Sequence, residues 1–235
     1  MDKTRDFILE GLSRYSLANL PGRPYDSAFE VMASSPSRKR IIVMGFNGSL
    51  ADSHMTNSQS IIQDHSAPLV SNVHLGSQGQ WGITRLATRL KQIPIQLGYN
   101  WEDVIYTNAI MMCSLNAGSL RNEALQFNMS IKDIITNSML FFENVTLPLS
   151  EPEIIIAYSN SLQSISAASI LLNHFGNTDT LKYSCPNGYH TTFAFHIEVS
   201  GRRIPVICVR HMSRFKPNEN LIKVAHALIT GKPDV

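Results

Sequence analysis

The chain has 235 residues, of which 43% are apolar and 16% charged, and its formal net charge is +2. This composition excludes a disordered chain and removes any bulk electrostatic drive toward nucleic acid, so polyanion binding has to come from a local patch. Cys113, Cys185 and Cys208 are too far apart to form a C-x-x-C pair and are expected to be free thiols; the charged start Met1–Asp6 and the lack of a long apolar run predict a soluble, cytoplasmic protein with no membrane partner.

The first predicted element is a helix over Thr4 to Leu17, with Ile8, Leu12 and Tyr15 on one face and Gly11 as a weak point within it. Pro21, Gly22 and Pro24 break it, a short helix around Tyr25 to Met32 follows, and Ser34 to Arg40 is a polar, basic connector. Ile41 to Met44 reads as a buried strand that turns sharply at Gly45 and leaves Asn47 at its carboxyl end. Ser49 to Gly82 is rich in Ser, Gln, Asn and His with little periodicity; so long a loop is either functional or disordered.

From Ile83 the pattern is helical through Leu86, Ala87, Leu90 and Ile93, ending near Pro94 to Gly98. Val104 to Ala109 is a second apolar strand that ends in Thr107-Asn108, and Leu120 to Phe142 holds one or two helices. Glu153 to Tyr158 is a third strand whose exit is Ser159-Asn160-Ser161, followed by a helix from Leu162 to Phe175 that stops at Gly176. Thr192 to Val199 alternates as a strand, Gly201 turns it, and Arg203 to Val209 runs back. The exit is Arg210-His211-Met212-Ser213-Arg214-Phe215, and a closing helix covers Asn218 to Ile229.

Strands alternating with helices predict a three-layer α/β/α sandwich with a mostly parallel central sheet. The chain is expected to be a single domain over 1–235, with an N-terminal helical extension 1–38 and an insertion 50–80. In such a sheet the strand exits share one edge, so Asn47, Asn108, Asn160 and His211 are expected to converge on one crevice. His54, His65 and His74 lie in the insertion with Asp52 and Asp64, but their spacing fits no compact ligand pattern; no metal or other cofactor is expected.

The order of these segments resembles the uracil-DNA glycosylase superfamily. Gly45-Phe46-Asn47-Gly48-Ser49 is similar to that superfamily's first motif. Trp81-Gly82 before an apolar helix, with Asp103 to Ala109, resembles the helix and the Tyr-Ile-Thr-Asn strand of its bacterial and archaeal branches. Pro152 to Ala157 resembles the third strand, and Val206 to Arg214 resembles the strand leading into the second motif, His-Pro-Ser. The chain departs from both motifs at a proline, with Gly48 and Met212 at those positions, and so loses the stiffening of a fixed φ.

The resemblance implies a DNA glycosylase that removes uracil or another damaged or mismatched base from single- or double-stranded DNA. The base leaves as an anion while the sugar gains positive charge, so the site needs donors toward the base and a positioned water. It implies that Asn47 orients that water, that Asn108 reads the base edge with its amide, and that His211 donates to the base oxygen. Asp52 is the nearby carboxylate that could serve as a base, and Phe46 or Trp81 would stack on the extruded base. Ser213, Arg214, Arg210, Lys216 and Ser159 would hold phosphate. Ordinary alternatives stand beside these roles: Asn108 capping a turn, Phe46 and Trp81 as core, and a solvated basic turn at 210–216. Two other functions fit the same residues, a catalytically idle glycosylase-like nucleic-acid-binding protein and a hydrolase of a free nucleoside or nucleotide.

Overall fold

The structure is a computed structural model that describes residues 3–22, 39–49, 55–66, 85–100, 103–185 and 191–232. A six-stranded sheet forms its centre: β2 (Ile41–Ser49), β4 (Val104–Ser114), β5 (Ile154–Ala157), β6 (Gly176–Tyr183), β7 (Thr192–Val199) and β8 (Arg202–Val209), in spatial order β4-β2-β5-β8-β7-β6. β4, β2, β5 and β8 are parallel, and β7 is antiparallel to both β8 and β6. Two short strands, β1 (Pro21–Gly22) and β3 (Met55–Thr56), pair separately.

Helices cover both faces. Ile8 and Leu12 of α1 (Lys3–Arg14), Ile61 of α2 (Asn57–Ser66), Ile134 and Phe141 of α5 (Ile131–Phe141), and Ile170 and Leu171 of α6 (Ala167–Phe175) join one core cluster. Leu90 and Ile93 of α3 (Arg85–Gln96), with Ile222, Ala225 and Ile229 of α7 (Glu219–Thr230), join the cluster on the other face. The short α4 (Leu120–Leu125) precedes α5, and a π-helical turn, Phe142–Thr146, extends it. The protein is thus an α/β/α sandwich with a mostly parallel sheet. Among the described residues, no helix is long and apolar enough to cross a membrane. The three cysteines are free, with Cys113 and Cys208 buried and Cys185 exposed.

Several elements differ from the sequence reading for identifiable reasons. β2 does not turn at Gly45; it continues to Ser49, because β4 runs eleven residues and keeps supplying partners, Gly45 opposite Asn108 and Asn47 opposite Ile110. β4 likewise passes through Asn108 rather than ending there. Gly11 is a packing glycine, since a Cβ there would collide with Val145 and meet Phe141 at 3.3 Å. α6 starts at Ala167, not Leu162, because Ser166 closes a capping box with Ser169 while Ser164 folds back onto the Ser161 hydroxyl. β6 has no counterpart in the sequence reading: it is a polar edge strand, and its alternation is too weak to register. The β7–β8 hairpin forms as expected, with positive φ at Ser200 (49°) and Gly201 (71°), as a two-residue turn of this hand requires. The predicted helix at Tyr25 to Met32 and most of the 50–80 insertion lie outside the described residues; within the insertion, β3 and α2 are regular.

At the amino ends of the parallel strands, Arg40 forms a two-pronged pair with Glu153, both hydrogen bonds 2.9 Å long. The Arg40 guanidinium also faces the Tyr99 ring at 5.0 Å. Burial and the nearby Glu153 carboxylate push the Tyr99 phenol up to about 12.

Candidate functional site

From β2 the chain crosses to β4 on one side and then returns to β5 on the other. The gap between the carboxyl ends of β2 and β5 is therefore a topological switch point, where open α/β sheets bind ligands. Gly45, Asn108, Tyr158 and His211 meet there.

Strand register sets this convergence. Gly45 sits opposite Asn108. Tyr158 follows the last residue of β5, and its N–H donates to the Met44 carbonyl at 3.0 Å, so its position is tied to β2. A Cβ at residue 45 would collide with the Tyr158 hydroxyl and lie 2.6 Å from both Tyr158 Cζ and Asn108 Oδ1. Gly45 is therefore glycine because a phenol and an amide fill the space above it, not because the chain turns. Gly45→Ala is expected to lose about 1–3 kcal/mol, the ordinary cost of overpacking. Urea unfolding measures that loss, and a wild-type midpoint would show that the two side chains yield freely.

Tyr158 in turn meets His211 edge to face, with ring centroids 5.7 Å apart at 65°. His211 is the half-buried residue just after β8. Its Nδ1 accepts from the Ser213 N–H at 3.3 Å and lies 2.7 Å from the Ser213 hydroxyl. With Nδ1 accepting, the neutral ring carries its proton on Nε2. Burial, and then the charge of Arg214, hold the imidazole below its ordinary value of 6.5, so it is neutral at pH 7. The cluster thus combines a neutral N–H donor, an amide that is 8% exposed, and a phenol.

Asn47 and Phe46 depart from their expected placement. Asn47 donates its amide to the Met112 carbonyl at 3.3 Å and to Ser114 Oγ at 2.6 Å, closing the bulged end of the β2–β4 pair. Both amide hydrogens are thus directed to β4, so the amide has no N–H left to aim at a water. Phe46 packs against the larger core cluster, whereas Tyr158 packs against the smaller one, because strand alternation sends residues 45 and 46 to opposite faces. Phe46 is therefore not placed to stack beside Asn108. Asp52 and Trp81 lie outside the described residues.

The expected phosphate groups divide. Ser213 is engaged by the His211 ring, and Asn160 donates to the Thr191 carbonyl at 2.8 Å. Ser159 gives its carbonyl to the Ala168 N–H at the start of α6. The Arg210 guanidinium stacks on Phe215, 3.1 Å from the ring centroid, while Arg214 and Lys216 are exposed. Arg210, Phe215 and Lys216 also line a cavity of about 220 Å³ with Thr191 and Thr192. Sequence reasoning missed Tyr158 because it took that residue as the last of a core strand; its signal was an aromatic at a strand exit, immediately before Ser159-Asn160-Ser161.

The protein is thus an α/β protein with a polar, imidazole-bearing cluster at the switch point of its sheet. No protein-family model matches the chain, and no curated protein matches it.

Proposed function

We propose that this chain is a DNA glycosylase, a divergent relative of the uracil-DNA glycosylase superfamily, that hydrolyses the N-glycosidic bond of uracil or another damaged or mismatched base. The observation that carries the reading is the neutral His211 ring, its Nδ1 occupied by Ser213, beside Tyr158 and the Asn108–Gly45 pair. In this reaction the bond between the base and C1′ breaks with its electrons on the base, a water oxygen bonds to C1′, and the proton that water sheds ends on the departed base through solvent. His211 Nε2–H stabilises the anionic base oxygen, and Asn108 matches the N–H and carbonyl of its edge. Tyr158 replaces Phe46 as the aromatic wall. Arg214 and Lys216 supply the local positive charge that the net composition lacks.

A second reading, a nucleic-acid-binding module without turnover, is favoured by one observation: the Asn47 amide is held by β4, and a neutral amide is no general base. Single- and double-stranded oligonucleotides carrying uracil and a panel of other lesions separate the two. Abasic product, detected by strand cleavage in alkali, supports the glycosylase. Salt-sensitive binding with no abasic product across the panel supports the binding module instead.

A further inference from the structure

The loop that carries His211 has Met212 where a proline would stiffen it, yet the His211 ring is held in a defined orientation. Ser213 and Tyr158 contact the ring, and the peptide between His211 and Ser213 is also held from another element. Arg89, on α3, donates from Nη1 to the Met212 carbonyl at 2.6 Å, across 123 residues of sequence. This is a charge-assisted hydrogen bond, stronger than its neutral counterpart. Met212 itself is 0% exposed and belongs to the core cluster shared by α3 and α7. The next residue, Ser213, supplies the N–H that fixes the His211 tautomer. The Arg214 N–H closes a turn onto the His211 carbonyl at 3.1 Å, which puts Met212 at the second turn position, the one that favours proline.

We propose that Arg89 is a positioning residue for His211, pinning the Met212 peptide from α3 and so doing by a side-chain hydrogen bond what a fixed φ would do. The proposal rests on the reading of His211 as the donor to the leaving base. It adds α3 to the machinery of the site.

The test compares wild type, R89A, R89K, M212P and R89A/M212P in the full chain. Two readouts are taken: base release from a uracil-containing oligonucleotide, and the ¹⁵N and Cε1–H signals of the His211 imidazole. R89A is expected to lower kcat by roughly 10- to 100-fold with KM little changed, because the donor is misplaced rather than removed. R89K keeps the charge without the planar reach and should recover part of the rate. R89A/M212P should approach the rate of M212P, since proline supplies the restraint that arginine gave. The imidazole signals should show Nδ1 losing its bonded character in R89A and regaining it in the double variant. Wild-type imidazole signals in R89A would overturn the proposal, as would a rate loss that proline leaves unrepaired. If no variant, wild type included, releases uracil or any base of the lesion panel, the reading of His211 fails, and the imidazole signals alone still decide whether Arg89 positions the ring.

Discussion

Replacing His211 by alanine should lower base release by roughly 100- to 1,000-fold, the effect of removing one pre-oriented donor to a developing anion. The loss should fall on kcat, because the donor meets its full charge only as the bond breaks. His211→Gln retains an N–H donor and is expected to recover part of the rate. The pH profile carries independent information. The folded ring protonates below its ordinary 6.5, with burial as the main cause and Arg214 the second. The neutral donor should thus persist somewhat below pH 6.5, and the His211-dependent rate should change only beneath that. The same shift sets a stability trend. The unfolded chain binds the proton first, so His211's contribution is complete above about pH 6.5 and is lost as pH falls toward the folded value. Stopped assays between pH 5 and 8 on wild type and H211A test the rate claim and urea unfolding over the same range tests the stability claim; parallel wild-type and H211A profiles would sink each of them.

Asn57→Ala should destabilise the fold by about 2–5 kcal/mol, because it strips the donor from two buried carbonyls at once. Asn57 is 2% exposed, and its Nδ2 donates to Leu17 O at 2.9 Å and to Met111 O at 2.7 Å. Its own N–H reaches Leu20 O at 2.9 Å. β4 is an edge strand, and Met111 shows how that edge is closed: its carbonyl goes to Asn57, and its N–H donates to Ser138 Oγ at 3.0 Å. One amide thus joins the segment after α1, the start of α2 and the outermost strand. Asn57→Asp keeps the shape but sets a carboxylate against two carbonyl oxygens, and should be at least as damaging. Urea unfolding followed by circular dichroism measures both variants; a loss under about 0.5 kcal/mol for Asn57→Ala would mean that water takes over the two carbonyls.

The layered α/β architecture was legible in the sequence because its signals were strong. Ile41 to Met44, Val104 to Tyr106 and Ile154 to Ala157 are uninterrupted apolar runs, as strands covered on both faces must be. Their ends were misread for a related reason. Glycine and asparagine were taken as stop signals, yet Gly45 answers a packing demand from Tyr158, and Asn108 continues a strand whose partner continues too. Such demands come from residues over sixty positions away and leave no local trace. Asn108 and His211 were singled out from their place near strand ends; Asn108 lies opposite Gly45 in the register, and the His211 ring meets Tyr158. Asn47 was identified by the same logic, but the bulge at the end of β2 turns its amide onto β4. Arg89 carries no signal at all in the sequence, where it is one more cation on an amphipathic helix.

A nucleobase analogue that binds without cleavage tests most directly whether these side chains share one ligand. The full chain is titrated with an oligonucleotide bearing 2′-fluoro-deoxyuridine while the His211 imidazole and Asn108 side-chain amide signals are followed. Both should move together at the same ligand concentration, and the same oligonucleotide with thymidine in that place should leave them unmoved. Saturable binding of the uridine analogue with neither signal displaced would contradict the account.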